Sequence, residues 1–93
     1  MIKKLTLTLA LLCATPAAAD CYADYKAKQE DPLRLHYGVI ELPERACNAN
    51  AARRYIAGRI DRDNWQLLNV ISVFDESELA AKRREAGQYY LRY

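Results

Sequence analysis

This chain of 93 residues has one histidine, one tryptophan, one phenylalanine and three cysteines. Each scarcity excludes a class of chemistry. No CxxC is present, and the lone histidine, His36, does not complete a zinc site with two cysteines. No serine stands near His36 in the sequence, so neither a nucleophile–base–acid triad nor another catalytic constellation can be assembled. There is no internal repeat and no low-complexity tract. No apolar run reaches the roughly 17–25 residues of a membrane-spanning helix. The composition therefore predicts a protein that is not an enzyme and carries no cofactor and no metal.

What is present begins with a targeting signal. Lys3 and Lys4 precede an apolar stretch from Leu5 to Ala14, Pro16 ends it, and Ala17-Ala18-Ala19 offers small residues at the positions a signal peptidase reads. Residues 1–19 are read as a cleaved secretory peptide and 20–93 as a single small domain. Asp20 before Cys21 lacks the small uncharged residue of a lipoprotein signal, so the mature chain is expected to be soluble, in the periplasm or secreted. Removal of Lys3 and Lys4 takes two of the 14 basic residues, which leaves as many as the 12 acidic ones. Zero formal charge predicts no nucleic-acid footprint and no attraction to anionic lipid. The expected partner is another envelope protein or a small polar ligand, with the oligomeric state left open.

Cys13 leaves with the signal, and an even pair in an exported small domain reads as a disulfide, Cys21–Cys47. Loop closure of that length stabilises by roughly 3.5 kcal/mol. A chain this short buries only about 60–65% of its unfolded surface, so the crosslink matters.

The densest aliphatic stretch, WQLLNVISVFD from Trp65 to Asp75, is apolar on both parities and predicts a central strand covered on both faces. Leu33 to Leu42 alternates: Leu33, Leu35, Tyr37 and Val39 form the expected buried face, with Arg34, His36, Gly38 and Ile40 opposite. Cys21 to Asp31, capped by Asp20 and stopped by Pro32, predicts a short helix. Ala49 to Arg62, with Asn48 or Asn50 as cap, predicts a second helix, and Leu79 to Ala86 a third, capped by Asp75 and ended by Gly87. Gln88 to Tyr93 alternates as a closing strand. The expected fold is α+β: order α-β-α-β-α-β, a three-stranded mixed sheet with the last strand between the other two, and helices mainly on one face. The predicted core is Trp65, Leu67, Val70, Ile71, Val73 and Phe74 with Ile56, Ile60 and Leu35.

All seven tyrosines lie beyond the signal segment. Tyr37, Tyr55, Tyr89 and Tyr93 are read as core residues. Arg34, His36, Tyr90 and Arg92 would then share the open sheet face as a shallow aromatic-basic binding patch. The expected function is a binding or interaction module acting through that face or an edge strand; a structural accessory of an envelope complex is the alternative.

The stretches CYADYK, PLRLHYG, LLNVISVFDES and GQYYLRY resemble a group of small exported bacterial proteins with no assigned function. More distantly, W-x-L-L-x-V followed by Y-Y-L-R resembles a small β-α-β-β domain of unknown function. That domain enters its second strand through Gly-Trp, where this chain has Asn64-Trp65. The resemblance implies a fold and no ligand.

Overall fold

The computed structural model describes residues 21–93; the expected signal segment and the Asp20 start lie outside them. Strand β1 (Cys21–Gln29) turns into β2 (Arg34–Leu42), helix α1 (Ala49–Ile60) leads to β3 (Gln66–Asp75), and α2 (Leu79–Ala86) follows. The domain is α+β with a three-stranded sheet in the order β2-β1-β3. Both ladders are antiparallel, so the sheet is antiparallel rather than mixed, and its two outer strands run parallel to each other without touching.

The central antiparallel strand expected from the last residues is supplied by the first described ones. Cys21–Gln29 was the expected helix and is β1. Alanine, lysine and glutamine favour a helix weakly, and tertiary pairing overrides them. Cys21, Ala23, Tyr25 and Ala27 face one side; Tyr22 and Asp24 face the other, all of them buried. Ala23 to Lys28 does alternate apolar and polar residues, a strand signal that the helix propensity of its alanines and lysines masks. At the far end, 88–93 is not a strand. Gly87–Tyr89 is a 3-10 turn, Tyr90 makes a single parallel bridge to Val39, and Leu91 has φ 55°, which breaks the extended course.

β3 is an edge strand, and its apolar pattern has a different cause from the one expected. Its register to β1 slips twice, between Asp24 and Tyr25 and between Lys26 and Ala27. Each bulge inserts one residue and shifts the pleat by one. Leu67, Val70 and Val73, three apart, consequently all pack half-buried against the α1 side. The inserted residues, Leu68 and Ile71, are 49% and 46% exposed. Ile71 is therefore not core, while Phe74 is buried on the opposite side.

On β2, Val39 is buried as expected, but the opposite parity is the one that packs on α1, and the turn end of the expected face is exposed. Ile40 and Leu42 pack towards α1 with Ala52, Ile56, Ile60 and Trp65, and His36 shares their parity. Leu35 was assigned to the core and is 66% exposed. α1 covers the first sheet face, and α2 lies over part of the second, with Leu79 and Ala86 against Tyr22, Val39 and Phe74. The expectation of helices mainly on one face holds for α1 alone.

Local signals account for the joints. Asn48 caps α1 by accepting from the Ala51 N–H at 2.9 Å. Asn64 takes φ 66° to leave the turn after α1, and Asp75 accepts from the Ser77 N–H at 2.9 Å before α2. Cys21 and Cys47 form a disulfide, Cα atoms 5.9 Å apart, tying the start of β1 to the segment before α1. Among the described residues no helix is long and apolar enough to cross a membrane.

Candidate functional site

The expected patch does not assemble as an exposed surface. His36 turns inward opposite Ala27, whose small side chain leaves room for the ring, and only 7% of the residue is exposed. Gly38 stands opposite Tyr25. Its missing side chain admits the tyrosine ring: a Cβ there would meet the Tyr25 Oη at 2.5 Å and Cζ at 2.6 Å. The same Tyr25 hydroxyl lies 3.0 Å from His36 Nε2.

Three more aromatic rings complete the enclosure. Tyr89 stacks on the imidazole at 3.7 Å with 8° between planes. Trp65 meets it edge-on at 4.3 Å, and Tyr93 lies 6.5 Å away. Arg34 sits over Trp65 at 5.6 Å, and Arg92 over Tyr89 and Tyr93 at 5.8 and 6.0 Å. Arg34, His36 and Arg92 are thus brought near one another, with the histidine buried between ring systems. Burial, then the Arg92 charge, push the imidazole pKa down to about 4. Tyr90 goes to the second face, where Arg83 lies 5.5 Å above its ring.

The second face holds a buried polar knot for which the sequence has no signal. Asp24 accepts from the Ser72 hydroxyl at 2.7 Å and the Tyr37 hydroxyl at 2.9 Å, and pairs with Lys82 Nζ at 3.2 Å. Burial by itself would raise this carboxyl. The two hydroxyls and the ammonium outweigh it and hold Asp24 below its ordinary value. The knot joins β1, β2, β3 and α2, so its partners are consumed in holding α2 to the sheet.

Beyond the knot, towards the β1–β2 turn, the second face is uncovered. Leu35 and Leu68 border a shallow depression of about 270 Å3 with Lys26 and Tyr37. Leu33, in the adjoining turn, is 66% exposed. Large apolar side chains grouped at one end of a sheet, with a cation at the rim, are the chemistry of a docking surface rather than of a reaction centre. Sequence reading missed it because Leu33 and Leu35 were placed in the core. Among the described residues no cluster of histidine, cysteine and carboxylates is arranged to hold a metal ion.

No family model, curated protein or solved structure matches the chain, so the resemblance to small exported proteins rests on the quoted stretches alone.

Proposed function

We propose that this protein is an exported interaction module that docks on another envelope protein through the leucine end of its second sheet face. The observation that carries the reading is the exposure of Leu35 and Leu68 around one depression, at 66% and 49%. α2 and Tyr90 cover the other end of that face. The rim selects the partner: Lys26 lines the depression, so the matching surface presents an apolar side chain to the leucines and a carboxylate to the lysine. The targeting signal in residues 1–19 and the Cys21–Cys47 disulfide support an oxidising compartment, periplasmic or extracellular.

A photo-crosslinking residue at Leu35 should capture one envelope protein in living cells, and the same residue at Arg53 on α1 should not. Leu35→Glu with Leu68→Glu should abolish capture by the wild-type protein's affinity resin while leaving the fold intact. Equal capture from both positions, or undiminished capture by the double variant, would remove the basis for this reading.

A further inference from the structure

The segment 87–93 lies over the His36 end of the sheet and is held mainly by side chains, with Val39, among the described residues, its one backbone partner in the sheet. Tyr89 stacks on the imidazole. The Leu91 N–H donates to the Val39 carbonyl at 2.8 Å. Tyr93 donates its hydroxyl to Asp63 at 2.7 Å and accepts from Arg59 at its main-chain oxygen.

The ring beneath them is poorly placed to carry charge. Among the described residues, buried Nδ1 has no hydrogen-bond partner. A neutral ring donating from Nε2 to Tyr25 leaves Nδ1 a bare acceptor, whereas imidazolium makes it a buried donor with nothing to receive it. The charged groups around the enclosure do not help. β2 contributes Arg34, the 87–93 segment Arg92 and α1 Arg59; of the carboxylates, Asp63 of the turn after α1 accepts from Tyr93, and Glu41 of β2 borders Leu91, Arg92 and Tyr93. β1 contributes Tyr25 and the link into β3 Trp65, both uncharged; burial, then Tyr93 and Tyr89, raise the Tyr25 phenol further from ionisation.

We propose that His36 is an acid-operated release for the 87–93 segment: protonation drives the imidazole out of its stack on Tyr89, and the segment lifts to uncover Trp65 and Tyr25. The sign follows from the ring's two environments. Closed, it titrates at about 4; freed, near its ordinary 6.5. Each pH unit below 6.5 therefore favours the open form about tenfold at first, reaching about 150-fold at pH 4 and levelling off at about 300-fold below it. Among the described residues the segment meets the sheet backbone at Val39 alone, so it opens at a lower free energy than the paired strands beneath it. The surface uncovered is on the α1 side, whereas the leucine depression, which Ala27 and His36 also line, opens on the second face. The two proposals are read by different probes, Trp65 emission and crosslinking at Leu35.

Trp65 is the only tryptophan and reports the event directly. Its emission and iodide quenching are recorded from pH 7.5 to 3.5 beside amide exchange of Leu91 and of the sheet residues Ala23 and Ile40. The expected result is a red shift, gain of quenching and loss of Leu91 protection with one midpoint between pH 6.5 and 4, the sheet amides staying protected. His36→Gln, which cannot titrate, should show no transition there. Should that variant not fold, the His36 ring-proton shift in the unaltered protein must follow the Trp65 transition. A Trp65 signal flat to pH 4, simultaneous loss of Leu91 and sheet protection, an unchanged midpoint in His36→Gln, or ring titration apart from the Trp65 transition overturns the proposal.

Discussion

Gly38 and Asp24 are the single residues whose chemistry most constrains this domain. Gly38 is needed for what crosses it: the Tyr25 ring is fully buried, and a Cβ at residue 38 would lie within 2.8 Å of three of its atoms. Gly38→Ala should therefore destabilise by about 1–3 kcal/mol through overpacking, measured as a lowered urea midpoint with an unchanged slope. Trp65→Ala would leave a void beside Ile56, Ile60 and His36 and cost on the order of 3–5 kcal/mol. For Asp24 the effect depends on pH. Its carboxyl is held below the ordinary value in the folded state, so its contribution is present above the unfolded carboxyl pKa and is lost as pH falls through the lower folded one. Asp24→Asn should cost on the order of 3 kcal/mol at pH 7 and less under strong acid, where the wild type has lost the same charge. Chemical denaturation at pH 7 and pH 2.5 compares the two.

Among the elements, β3 shows how an apolar run on both parities arises without two covered faces. Its two bulges turn Leu67, Val70 and Val73 to one side and leave Leu68 and Ile71 outside. Bulges are common on edge strands, where they turn the edge away from further pairing. A consequence is that the exposed leucines are dispensable for folding. Leu35→Ser with Leu68→Ser should shift stability by no more than about 0.5 kcal/mol, whereas Ile56→Ala on α1 should cost about 2–5 kcal/mol. Thermal melts of the two variants separate surface from core. The disulfide acts at the same scale, by holding β1's first residue to the segment before α1. Reduction should lower stability by roughly 3.5 kcal/mol if loop entropy governs it, read from unfolding with and without reductant.

For the molecule as a whole, the two sheet faces divide the labour. The α1 side closes around aromatic rings and a neutral histidine, while the α2 side closes around a charged knot and stays open at its leucine end. Global stability should hold steady from pH 8 to about 6.5 and then decline, because His36 is neutral when folded and charges when unfolded. Release of 87–93 frees the ring without unfolding the sheet. The decline from this group should accordingly stop at the free energy that keeps the segment closed. A denaturation series at half-unit pH steps would show that plateau before Asp24 begins to protonate.

Several features were set by the sequence itself, and each is local. An even pair of cysteines beyond residue 19, an asparagine cap before Ala49, a helix of apolar spacing through Ile56 and Ile60, and a bulky stretch after Trp65 have one ready physical outcome apiece. From these the α+β class, the strands at Leu33–Leu42 and Trp65–Asp75 and the disulfide were legible, whereas the third strand, expected at Gln88–Tyr93, lies at Cys21–Gln29. Only the tertiary structure decided which segment lies in the middle of the sheet. Ala23 to Lys28 alternates apolar and polar residues, yet its alanines, lysines and glutamine equally suit a helix, and only pairing with β2 on one side and β3 on the other decided for a strand. The face of β2 was decided in the same way. Leu35 and His36 differ by one position in a pleat of period two, and what turned the histidine inward is a ring from Tyr25 over a bare Gly38 and another from Tyr89, residues 11 and 53 positions away in the chain. Hydrophobicity ranks leucine above histidine for burial, but shape complementarity among distant rings outweighed that ranking. The candidate docking surface is the leucines left outside by that choice.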